Sequence, residues 1–177
     1  MVSDISKIQA YDETRLRTFE NELGISVKSR DLLKSAITSP KAHEKVLEYN
    51  LDITLEPIER LAYLGDSILY FVASEHVISK YNNETLIGKL HNEREKYKQG
   101  NNLAKILIKN QLLEYFWIEE NYHFGSIKWT ELMGTFFEAI IGALYLDQCK
   151  LDSAKSFVNN YIISNIDQII EKGSFDG

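Results

Sequence analysis

Apolar residues recur along this chain at helical spacing, and no stretch shows the sustained period-two alternation of a half-buried strand. Leu16, Phe19 and Leu23 mark a first helix that Gly24 stops. Residues 29–38 form a second short helix with Ser29 as its cap. The segment 41–54 reads as a loop or a short helix. Pro57 suits the first turn of a long helix running to about Lys80, with Leu61, Leu64, Ile68, Phe71 and Val72 as its apolar stripe. Asn82–Asn83 breaks it. Helical pattern resumes over 85–109, with kinks expected at Gly88 and Gly100. A short apolar helix at 111–118 and a loop at 119–128 follow. The most apolar helix covers about 129–147, where Leu132, Met133, Phe136, Phe137, Ile140, Ile141 and Leu144 recur, and a last helix covers 151–172. The pattern predicts an all-α fold: an N-terminal arm over 1–14, one domain over 15–172 and a tail over 173–177. The helices at 57–80 and 129–147 are expected to pack together in its interior.

The chain has 177 residues, enough for one domain with a sizeable core, and only two prolines, which favours helices over many short strands. No apolar run approaches the ~18 residues of a membrane span. The acidic N-terminus lacks the apolar region of a secretory signal, and no transit peptide is evident. Cys149 is the single cysteine and forms no internal disulfide. This suits a reducing, intracellular compartment, the cytoplasm first, with organelle or nucleus left open. The net charge of −6 is awkward for a nucleic-acid binder and demands a local basic patch, a bound cation or a further domain. Lys89, His91, Arg94, Lys96 and Lys98 concentrate positive charge. They read either as an RNA-backbone contact or as a solvated face interleaved with Glu93 and Glu95. His43, His76, His91 and His123 show no metal-ligand spacing. The aromatic group Tyr115, Phe116, Trp117, Tyr122, Phe124 and Trp129 is expected to pack rather than to stack on bases.

Two segments carry a resemblance. Glu59-Arg60-Leu61-Ala62-Tyr63-Leu64-Gly65-Asp66-Ser67 is similar to the E-R-L-E-F-L-G-D-S signature of the ribonuclease III family. Gly134-Thr135-Phe136-Phe137-Glu138-Ala139-Ile140-Ile141-Gly142-Ala143-Leu144-Tyr145-Leu146-Asp147 is similar to that family's D-x-F-E-A-L-I-G-A-x-Y-L-D signature. Weaker matches at residues 23–38 and 90–104 fall in the right order. The resemblance spans about 16–170 and implies a helical, dimeric endonuclease domain acting on double-stranded or structured RNA in RNA processing. It implies Mg2+ or Mn2+ as cofactor, and it places Tyr63 in the dimer seam. The double-stranded-RNA-binding domain that commonly follows in the family is not found after the last helix of this chain.

Phosphodiester hydrolysis at neutral pH is helped by a metal that activates water and screens the developing charge, and magnesium takes carboxylate oxygens. Positions 59, 62 and 66 share one helix face, as do 135 and 138 on the other. In the family, acids matching 62, 66, 135 and 138 hold the metal, and the acid matching 59 sits beside them. Here Glu59, Asp66 and Glu138 are candidate catalytic residues, and Asp66 and Glu138 the candidate metal ligands. Position 62 is Ala62 and position 135 is Thr135, so two of the four ligands are missing. The acid often found just before the middle helix is Ile87, with Glu84 nearest. Glu131, one turn before Thr135, is a possible substitute. Candidate RNA contacts are Lys89, Arg94, Lys96 and Lys98. Three functions are weighed. The first is an RNA-binding relative with weak or lost cleavage, homodimeric or seated in a ribonucleoprotein with a partner protein. The second is an active endonuclease with a reduced site. The third is a helical dimerisation domain without an RNA role. Glu138, inside an apolar helix, needs a partner: Arg60, Lys128 or a metal.

Overall fold

The computed structural model describes residues 11–49, 53–119 and 121–173, and among these it holds nine α-helices and no strand beyond one isolated bridge. Helix α1 (Glu13–Leu23) starts two residues inside the expected arm. Its cap is Asp12, whose carboxylate accepts the Thr14 and Arg15 amides, and Tyr11 before it is already buried. The rest of the arm, residues 1–10, and tail residues 174–177 lie outside the described residues. Gly24 closes α1 in the left-handed conformation, φ 65°, and returns its N–H to the Asn21 and Glu20 carbonyls.

Ser29 caps α2 (Arg30–Ala36) as expected. The ambiguous segment after it begins as a helix, α3 (Pro40–Glu48), because Ser39 supplies the cap and Pro40 suits the first turn. Helix α4 (Ile58–Lys80) follows with Pro57 at its N-cap, one position earlier than predicted. Leu61, Ile68 and Val72 of its stripe are buried, but Phe71 is 46% exposed, with the Lys155 ammonium over its ring.

The predicted helix over 85–109 is two, α5 (Ile87–Glu95) and α6 (Gly100–Lys109). The break has a cause. Tyr97 turns into the protein, where its hydroxyl donates to Asp167 at 2.7 Å and meets His76 Nε2 at 3.1 Å, so residues 96–99 cannot continue the helix. The apolar run after α6 is also shorter than expected. Gln111 takes a left-handed turn, φ 55°, and only Leu112–Tyr115 coil, as a 3₁₀ turn. Trp117 then pairs with the chain beside Thr38: its amide donates to Ile37 O and its carbonyl accepts from Ser39 N. The aromatic group is mainly packing. Phe116, Trp117 and Trp129 are buried, and Phe124 lies 4.6 Å from Trp129.

Helix α7 (Ile127–Gln148), capped by Ser126, is the central element, with Met133, Phe136, Phe137, Ala139, Ile141 and Ala143 fully buried along it. The last column is α8 (Leu151–Phe157), a π-helical stretch Val158–Ile163, and α9 (Ser164–Gly173). As expected, α4 and α7 pack against each other in the interior, and they approach backbone to backbone. A Cβ at Gly65 would lie 1.7 Å from Glu138 O, and one at Gly142 would lie 2.1 Å from Leu61 O. Each helix thus presents a glycine to the other's backbone.

That contact leaves no room for a methyl group. Gly65→Ala or Gly142→Ala is expected to cost about 3 kcal/mol or more, or to abolish cooperative folding, because only main chain stands in the way. Gly88→Ala, with nothing within 4 Å of the added Cβ, should stay within about 1 kcal/mol of wild type. Urea midpoints of the three variants check this.

Candidate functional site

The helix crossing makes the site. Asp66 follows Gly65 directly, and the carbonyl that Gly65 abuts belongs to Glu138, so the two candidate carboxylates arrive at one place. Asp66 is partly exposed. Glu138 sits deeper, and among the described residues it makes no hydrogen bond or ion pair. Burial pushes its carboxyl up to about 7, and the nearby negative charge of Asp66 pushes the same way, against the opposing influence of Lys98. Lys98 comes from the break between α5 and α6. Its Nζ stands 2.7 Å from Asp66 Oδ1 and 4.9 Å from the ring centroid of Tyr70, one helical turn beyond Asp66. Glu138 and Lys98 both line an open cleft of about 480 Å3, with Glu131 and Thr135 on the α7 side. Gly100 lets its wall close up: a Cβ there would meet Thr130 O at 2.6 Å.

The other sequence candidates fall elsewhere. Glu59 is exposed on the first turn of α4, and Arg60 pairs with Glu56 at 3.2 Å rather than with Glu138. Ala62 is buried and carries no donor. Thr135 Oγ1 donates to Glu131 O at 3.0 Å, within its own helix. Glu131 lines the cleft but is exposed, and Glu84 is exposed ahead of α5. Among the described residues no three of His, Cys, Asp or Glu come together closely enough to hold a metal ion. The donor set is thus smaller than the four acids the resemblance implies: two carboxylates, Asp66 and Glu138, with Asp66 paired to an ammonium.

Of the four candidate RNA contacts, Lys98 is turned to the carboxylates and the others have protein partners. Lys89 lies over Tyr81, Arg94 stacks 3.7 Å from the Tyr70 centroid and reaches Glu95, and Lys96 pairs with Glu93 at 2.7 Å. Tyr63 is 82% exposed. Sequence reasoning did not foresee the approach of Lys98 to Asp66, which depends on the helix break at Tyr97. The only hint was a lysine two residues before Gly100.

A family profile for the Ribonuclease III domain matches residues 59–149, about half of the chain and the stretch that holds both signature helices. The chain belongs to the ribonuclease III family. Curated relatives named Ribonuclease 3 include one from Francisella philomiragia, 35% identical over 86% of this chain and 62% of its own length. Another, from Chloroflexus aurantiacus, is 30% identical over 88% of this chain and 63% of its own. The chain thus spans under two thirds of the length of these relatives. In fold it is similar to the solved nuclease domain of ribonuclease III from Campylobacter jejuni, with a TM-score of 0.65 at 23% identity, covering 85% of this chain and 97% of that one. The all-helical ribonuclease III fold expected from the signatures is the fold observed. No helix among the described residues is long and apolar enough to cross a membrane.

Glu138 gives this ribonuclease III domain a specific pH response. Its native carboxyl holds a proton more tightly than the unfolded one, whose ordinary value is 4.5, so between 4.5 and about 7 the folded state binds more protons. Stability from this group is fully present below 4.5, declines as pH rises through that window and levels off above it. Glu138→Gln removes the decline. Relative to wild type it should gain about 2.5 kcal/mol between pH 5 and pH 8, read from urea unfolding at both. A constant difference would show that Glu138 is not buried as described.

Proposed function

We propose that this ribonuclease III domain binds double-stranded or otherwise structured RNA and cleaves it slowly or not at all. One observation carries the reading: where the family places four metal-holding acids, the described residues bring together only Asp66 and Glu138, and Asp66 is paired with Lys98. Metal sites work as units, so halving the ligand set costs more than half the activity. Any Mg2+ or Mn2+ bound there is held weakly. The relatives' name supports RNA as the substrate class, and the resemblance supports a homodimer, with a ribonucleoprotein or a partner protein as a further setting. A second reading, an active endonuclease, is favoured by the retained Glu59, Asp66 and Glu138 and by Glu131 standing in the same cleft.

For the dimer, the exposed face of α4 supports the reading. Tyr63, Tyr70, Phe71 and Ile78 recur at helical spacing and are exposed in the single chain. Sedimentation is expected to give twice the 20.5 kDa of one chain, and Tyr63→Asp should shift it toward the monomer. Wild-type sedimentation at the monomer mass at micromolar concentration would remove the homodimer.

Activity is tested with long double-stranded RNA in magnesium. Wild type should show little or no cleavage. Ala62→Glu with Thr135→Asp should raise it, and each single change should do much less. Every restored ligand is worth several kcal/mol of charge stabilisation on the general scale of metal catalysis. Because Ala62 is buried, melting of each variant is followed in parallel. Robust wild-type cleavage, abolished by Asp66→Asn, would establish the endonuclease reading instead.

A further inference from the structure

Lys98 brings an ammonium to the carboxylates that the resemblance implies as metal ligands. Two contacts define its place: its ammonium is 2.7 Å from Asp66 Oδ1 and 4.9 Å from the ring centroid of Tyr70, and it lines the same cleft as Glu138. Its side chain is 21% exposed, against 42% for Asp66, so it is the more enclosed partner of the pair. The backbone that carries it is fixed on both sides. Tyr97 before it is buried and tied to Asp167 and His76, and Gly100 after it lies against the Thr130 carbonyl. A lysine on a loose loop would swing away when a dication arrived; this one is anchored one residue from a buried tyrosine.

We propose that Lys98 is the built-in cation of this site, an ammonium that stands in for a divalent ion and disfavours its binding. The inference rests on the proposal above that cleavage is weak or lost, and it supplies a cause separate from the missing acids. Even with both carboxylates ionised, the ammonium leaves at most a single net negative charge to attract an incoming ion, where four free carboxylates would leave four. A dication must also either strip Nζ from Asp66, losing a charge-assisted hydrogen bond, or sit beside a like charge a few Å away. Arg94, stacked on the other contact of Tyr70 and paired with Glu95, adds positive charge nearby and leaves the carboxylates to Lys98.

Mn2+ titration of the full chain, followed by water-proton relaxation, reads the effect without RNA or turnover. Wild type should bind Mn2+ weakly. Lys98→Met should tighten binding more than about tenfold, by removing one unit of charge at close range. Lys98→Arg should behave as wild type, and Lys98→Met with Asp66→Asn should lose the gain. Lys98→Gln, which removes the charge but keeps an N–H donor on a shorter stem, gives the same comparison should the methionine variant fold poorly. Folded variants lacking the Lys98 charge that bind Mn2+ no better than wild type would overturn the assignment while leaving the cleavage reading intact. Magnesium-dependent cleavage by wild type, alongside tighter Mn2+ binding in Lys98→Met, would do the reverse.

Discussion

The crossing of α4 and α7 at Gly65 and Gly142 is the constraint on which the rest of this domain depends. Two long helices usually meet through interdigitated side chains with their axes 8–10 Å apart. Here a glycine on each meets the other's carbonyl, leaving no space for even one methyl group. The consequence is positional. Asp66 is covalently next to one contact and Glu138 is itself the other, so their carboxylates come together as a result of backbone packing. The two carboxylates need no loop to bring them together. They also need no metal to hold them there, since the buried apolar faces of α4 and α7 do that.

Such a crossing places two carboxylates in one partly buried spot, which by itself is unfavourable. The chain answers in two ways. Glu138 holds its proton to about 7, so at neutral pH it is often uncharged. Asp66 takes an ammonium from a segment 32 residues further on. The Tyr97 anchor that delivers this lysine also ends α5, so the break in the helix and the charge at the site have one origin. A ligand set of four acids would make such compensation impossible without a dication. With two, one lysine and one proton suffice.

Much of the fold was legible. Helix positions followed from apolar spacing, and the caps at Ser29 and Gly24 followed from their residue types, because these are local effects. The boundaries that moved had non-local causes. The split of 85–109 depends on Asp167, seventy residues beyond Tyr97, and the loss of helix at 116–118 depends on pairing with the chain at Thr38. Phe71 was assigned to the buried stripe by spacing and is exposed instead, since an α4 face that is apolar almost all round gives periodicity nothing to discriminate. At the site, Asp66 and Glu138 were legible from the signatures, as was the lack of acids at 62 and 135. The ion pair with Lys98 was not. A basic side chain beside Glu93 and Glu95 looks the same in sequence whether it faces water or a carboxylate.

The signatures themselves separate into two kinds of residue once the contacts are known. Gly65, Gly142, Leu61, Phe136, Phe137 and Ile141 serve the crossing and the core, and all are present. Positions 62 and 135 hold a buried alanine and a threonine whose hydroxyl bonds its own helix; neither contributes a carboxylate, and neither disturbs the packing. Retention of a signature is therefore evidence for the fold in the first group and for chemistry only in the second. Asp66 and Glu138 lie between the groups. They border the glycine contact, yet their carboxylates add nothing to packing, and a half-buried Glu138 without a hydrogen bond works against stability at neutral pH. A domain kept only as a helical scaffold would be better served by an apolar residue at 138. That unfavourable carboxylate is the one feature of the two signatures that packing does not account for, and it lies where Asp66 and the Lys98 ammonium also come together.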